Sequence, residues 1–198
     1  MDAYSYLNRG GVFSNAQTGN ILLFSVNLTT GNFKIALRYF VPIMAFVVGI
    51  AFASILRHSY RGKPHIYWQK TVVLVEALLL FCVAFIPQSL NLLATSLISL
   101  ACGAQVESFR KIRDRELSIA TTMCIGNLRS GVQALCEYRF TKEKRTLENG
   151  LVSFAVVLCF AIGAICGNLL LGFLNEKTIL VSAVIMLFAF GTMSIYKK

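Results

Sequence analysis

The chain has 198 residues, of which 56% are hydrophobic and only 14% charged, with a mean hydropathy of +0.66. Soluble domains carry roughly 25% charged residues, so the composition excludes an ordinary water-soluble fold and points to a membrane. The net charge of +10 does not indicate nucleic acid, because the arginines and lysines cluster in short loops between apolar runs, as the positive-inside rule produces.

In chain order, residues 1–10 are too short to span. The stretch SNAQTGNILLF (14–24) then places Ser14, Asn15, Gln17, Thr18 and Asn20 directly before an apolar run. Residues 39–56 carry no charge, residues 71–86 carry only Glu76, and residues 89–106, 150–174 and 178–196 are uncharged throughout. A spanning helix needs about 20 mainly apolar residues, so five spans are predicted: 36–56, 66–86, 89–106, 150–174 and 178–196. Between the third and fourth spans, TTMCIGNLRSG (121–131) sets Thr121, Thr122, Asn127 and Arg129 around a second Gly-Asn. The six cysteines lie in or beside apolar segments without CxxC spacing or a nearby histidine, and read as small packing residues. His58 and His65 flank a basic loop and read as solvated.

The chain also resembles itself. Gly19-Asn20 matches Gly126-Asn127, FVVGIAFASIL (46–56) aligns with FAIGAICGNLL (160–170), and KTVVLVEALLLF (70–81) aligns with KTILVSAVIMLF (177–188). One integral-membrane domain made of two repeat halves, about 1–87 and 88–198, is expected. The span 89–106 has no counterpart in the first half, which predicts about 20 further residues upstream of Met1 in a complete copy.

Charge sets the expected topology. If 117–136 enters the membrane and returns to the same side, one side holds 14 of the 19 basic residues: Arg57, Arg61, Lys63, Lys70, Arg110, Lys111, Arg113, Arg115, Arg139, Lys142, Lys144, Arg145, Lys197 and Lys198. The other side holds Arg9, Lys34, Arg38 and Lys177. That bias puts the loop 57–65 and the C-terminus in the cytoplasm. It also makes the two halves an inverted repeat, each with a broken or re-entrant polar element.

Paired interrupted segments at matching places in two halves point to a transporter's binding site. Asn15, Gln17, Thr18, Asn20, Thr121, Thr122, Asn127 and Arg129 are therefore candidate ligand contacts. Helix N-termini and Arg129 suit an anionic solute. The alternative is that these polar side chains hydrogen-bond the two halves together. Glu76 is the one carboxylate inside a predicted span, a placement that is functional by default; it carries a coupled proton, pairs with Arg129, or belongs to a structural ion pair. Glu107 lies at the membrane edge beside Arg110 and Lys111. Gly163 and Gly167 form a GxxxG whose counterpart is Gly49 and Ala53, spacing that lets helices approach closely.

The segments DAYSYLNRGGVFSNAQTGN (2–20), VESFRK (106–111) and ATTMCIGNLRS (120–130) resemble the YoaK family of small bacterial membrane proteins, across essentially the whole chain. The resemblance implies a multi-pass inner-membrane protein and brings no substrate or catalytic residue. Family members commonly have Thr before the second Gly-Asn; this chain has Ile125.

The expected protein is thus an all-α polytopic bundle that moves a small solute or ion, or else a membrane scaffold or assembly partner. No HExxH, GxSxG or Cys/His constellation is present, so catalysis, a metal and a cofactor are not expected. The expected partners are the lipid bilayer, an unidentified small solute and a second copy of the chain, with no nucleic acid.

Overall fold

The computed structural model describes residues 1–61, 66–109 and 124–195. Among them the chain is helical throughout, without a strand: α1 (Asp2–Asn8), α2 (Gln17–Thr29), α3 (Phe33–Ser59), α4 (Ile66–Val83), α5 (Asn91–Ser108), α6 (Cys124–Thr141), α7 (Lys144–Leu174) and α8 (Ile179–Ile195). Three stretches are long and apolar enough to cross a membrane: Phe33–Ser59, Gln88–Ser108 and Lys144–Ile195, the last containing both α7 and α8. Large apolar side chains such as Leu22, Ile55, Phe81, Phe85, Phe173 and Phe188 stand exposed. On a monomer in water such surface would drive association; in a bilayer it faces lipid. At 13 residues, α2 extends about 20 Å and falls short of a full crossing.

The described chain divides into two compact units, residues 1–108 with 167–198, and residues 109–166. The division does not follow the repeat halves. In the larger unit, α5 packs on α3 and α4, α4 packs on α8, and α2 packs on α3. The core joins Leu80 and Val83 of α4, Ile98 and Cys102 of α5, and Ile179 and Ala183 of α8.

Helices α3 and α5 touch through glycines. A methyl placed on Gly49 would run into the Leu100 carbonyl, and one on Gly103 into the Phe46 carbonyl. Ala53 and Ala104 are fully buried along the same seam. Beyond it, Arg57 of α3 pairs with Glu107 of α5 at 2.8 Å; with Arg57 52% exposed, such a pair adds at most about 1 kcal/mol.

The helix ends sort into two groups. Gln69 near the start of α4 donates to the Ser108 carbonyl at the end of α5 (2.8 Å), on the same end as Arg57 and Glu107. Arg9, Val83, Asn91 and Glu176 meet at the opposite end. Helix α8 starts near Glu176 and passes Gln105, whose side-chain amide approaches the Met186 sulfur. It therefore ends on the side where α3 and α5 end.

In the smaller unit α6 and the first part of α7 form a hairpin. Lys142 turns the chain with a left-handed φ of 57°, its N–H donating to the Tyr138 carbonyl, as helix C-termini often do. Gly131 sits beneath the Phe154 ring, and Gly150 against Ala134 and the Gly131 carbonyl.

Candidate functional site

The first Gly-Asn element is built by its own loop. The pair Gly10 and Gly11 takes left-handed φ values of 89° and 73°, reversing the chain after α1 at little steric cost. Residues 12–16 then lead into α2, with Asn20 in its first turn. Asn20 is completely buried. Its amide nitrogen donates to the Phe13 carbonyl (2.5 Å) and to Gln17 Oε1 (2.9 Å), and its Oδ1 accepts from the Phe13 N–H (3.1 Å). Gln17 in turn donates to the Ser14 carbonyl (2.8 Å), and the Asn15 N–H donates to Asp2 (2.7 Å). Thr18 is exposed, and the buried Ser14 hydroxyl has no hydrogen-bond partner.

Both amide donors of Asn20 are thus spent on holding the loop. Replacing Asn20 by Leu leaves the Phe13 N–H and carbonyl without partners, at about 1–3 kcal/mol, whereas Thr18→Ala should be near neutral. Thermal unfolding in detergent reads the difference; equal midpoints for the two variants would show that the Asn20 bonds hold nothing together.

In the second element, Asn127 is 3% exposed in the first described turn of α6, while Gly126, Leu128 and Arg129 around it are exposed. Ile125 is 82% exposed. Thr121 and Thr122 lie outside the described residues. Of the packing candidates, Gly49 and Ala53 of α3 pack against α5. On α7 an added methyl at Gly163 meets nothing within 4 Å, and one at Gly167 meets the Ala3 side chain at 3.6 Å.

Glu76 is 1% exposed, and neither of its oxygens has a hydrogen-bond partner. An uncompensated carboxylate inside a bilayer costs at least about 2.5 kcal/mol on insertion scales. Ala183, its counterpart in the repeat alignment, is also buried, so packing at this depth does not itself call for an acid.

A second buried charge is Arg9, 1% exposed. Its Nε donates to the Tyr4 hydroxyl (2.8 Å), Nη1 to Asn91 Oδ1 (3.3 Å) and Nη2 to the Val83 carbonyl (3.4 Å). Val83 ends α4, so the guanidinium meets the negative end of that helix. The Tyr4 hydroxyl passes the chain on to the Glu176 carbonyl (3.0 Å). Burial raises the Tyr4 phenol above its usual pKa, with Arg9 pulling the other way, and the group remains a donor. Hydropathy places Arg9 in a solvated loop; the available signal is that it is the sole charge between Asp2 and Lys34.

Residues 1–192 match the model of a family described as "Protein of unknown function (DUF1275)". No curated protein and no solved structure matches the chain.

Proposed function

The chain belongs to the YoaK family, whose function is unknown, and on that premise we propose a small-solute transporter or channel of the bacterial inner membrane. The observation that carries the reading is the burial of both Asn20, in the opening turn of α2, and Asn127, in the first described turn of α6. Interrupted elements in corresponding positions are where transporters bind substrate. Asn15, Gln17, Thr18, Thr121, Thr122 and Arg129 are the further candidate contacts of this reading, and helix N-termini with Arg129 favour an anionic solute.

The inverted repeat belongs to the same proposal. Within the larger unit the chain leaves at Ser108 on the end shared with Arg57, and Leu174 leads into Glu176 on the opposite end. In this proposal α7 is spanning and α6 re-entrant. Arg57 and Ser108 adjoin the basic stretches 57–65 and 110–115 in sequence, and on that ground their end and the C-terminus are proposed to face the cytoplasm.

The experiment compares ion and metabolite content in cells with and without the protein, then repeats it with Asn127→Ala. The expected result is a solute whose level depends on the wild-type protein and loses that dependence in a variant present at normal abundance. Identical contents with and without wild-type protein would overturn the reading. A scaffold role is favoured by one observation, the commitment of Asn20 to its own loop, and predicts that Asn127→Ala is silent wherever the chain still folds.

A further inference from the structure

Helix α5 carries a polar seam along its whole length. Asn91, Thr95, Ser99, Cys102, Gln105 and Ser108 follow one another at steps of four, four, three, three and three residues, so each neighbours the next on the helix surface. Thr95, Ser99, Cys102 and Ser108 are buried. Ser99 Oγ and Gln105 Oε1 have no hydrogen-bond partner. The seam runs from Arg9, which donates to Asn91, to Gln69, which donates to the Ser108 carbonyl.

Glu76 lies on α4, which packs on both α5 and α8, and Leu80 and Val83 of α4 share one core with Ile98 and Cys102 of α5, at the middle of the seam. A carboxylate inside a bundle needs a cation or hydrogen-bond donors; among the described residues Glu76 has neither a hydrogen-bond donor nor an ion-pair partner. The species that suits these surroundings is the neutral carboxylic acid.

We propose that Glu76 is a proton-binding site inside the bundle that exchanges its proton along the α5 seam. One H⁺ adds to a carboxylate oxygen and later leaves it; no electrons move. Water entering beside the unpartnered Ser99 hydroxyl and Gln105 amide oxygen carries the proton along the seam, since the Thr95 and Ser108 hydroxyls donate to carbonyls of α5 itself. Naming the proton as the coupled ion rests on the transporter reading, whereas the binding event does not.

Among the described residues of the helices packed here, few ionisable groups are present. Helix α5 contributes Cys102, and α8 has no ionisable side chain between Ile179 and Ile195. Helix α3 has none between Tyr39 and Arg57. The Cys102 thiol lies 4.0 Å from the Met1 sulfur, which brings Met1 to the seam with Asp2 next to it in the chain. Arg9 binds the Val83 carbonyl, seven residues along α4 from Glu76, or about 10 Å.

The test treats the full chain in lipid nanodiscs with dicyclohexylcarbodiimide, to which a protonated carboxyl in apolar surroundings adds to give an N-acylurea, and maps the product by peptide mass spectrometry. At neutral pH Glu76 should react about tenfold or more faster than the exposed Glu137. The rate should fall along one titration curve as pH rises, and Glu76→Gln should abolish that peptide's label. The infrared band of the protonated carboxyl should exchange into D₂O more slowly when Ser99→Ala and Gln105→Leu are combined.

Labelling no faster than at Glu137 overturns the proposal. So does labelling independent of pH, which marks a permanently neutral structural acid, and so does protection by sodium, which marks a metal cation in the proton's place. Should Glu76→Gln fail to fold, the wild-type pH profile still decides. None of these readouts needs a solute: a Glu76 that titrates in a chain that moves nothing defeats the transporter reading alone.

Discussion

Gly103→Val should be the most damaging small-to-large change in the larger unit. The added side chain would meet the Phe46 carbonyl and the Ile50 nitrogen, backbone groups that cannot rotate aside as a flexible side chain can. Gly49→Val would strike the Leu100 carbonyl from the other direction. Forcing methyl groups into a closed interface costs about 1–3 kcal/mol and sometimes more. This interface has no slack, because the close approach of α3 and α5 is what packs it. Membrane helices lack a hydrophobic force between them and rely on such packing, so separating the backbones loses contacts along the whole seam. Gly163→Ala provides the control: the same methyl there meets nothing within 4 Å, and helix propensity favours alanine by up to about 1 kcal/mol. Thermal or denaturant unfolding in detergent should show a large loss for Gly103→Val and none for Gly163→Ala. If both variants unfold with the wild type, the α3–α5 contact is not where the two helices meet.

The spans were readable because a bilayer leaves a one-dimensional record: runs such as 39–56 and 150–174 need no knowledge of tertiary contacts. Half of the α3–α5 contact was readable too. Gly49 and Ala53 stand out by their spacing, but their partner Gly103 lies in ACGAQ, where Ser99 four residues earlier gives only a weak small-residue spacing. Polar side chains were harder. The sequence shows that Asn20 sits in an apolar neighbourhood, and this fits a ligand site or a loop clasp equally well. Which one holds depends on where the Phe13 backbone lies, seven residues away. The α5 seam is regular, yet Thr95, Ser99 and Ser108 are ordinary residues in a membrane helix until burial shows that they face inward.

The remaining large effect belongs to Arg9. Replacing it by Leu should cost about 3–5 kcal/mol, the range for removing one partner from a buried charged network. The substitution leaves the Val83 carbonyl, Asn91 Oδ1 and the Tyr4 hydroxyl without the donor that each now shares. Each bond to a charged group is worth about 1.5–3 kcal/mol, and part of that sum is offset because the guanidinium no longer has to be desolvated. Arg9→Lys should fall in between, since an ammonium keeps the charge but cannot hold three separated acceptors with a planar fork. The damage should also spread. The guanidinium ties α1, the end of α4 and the start of α5 together, and through Tyr4 it reaches the turn before α8. Hydrogen exchange should therefore rise at residues 83–91 and 175–179 as well as around residue 9. Arg38 is the comparison: it is exposed and makes one bond, to the Gly10 carbonyl at 3.1 Å, so Arg38→Gln should change stability by no more than about 0.5–1 kcal/mol. An Arg9→Leu protein as stable as Arg38→Gln would mean that the guanidinium merely fills space at this end of the bundle, and that the four elements are held by their apolar contacts alone.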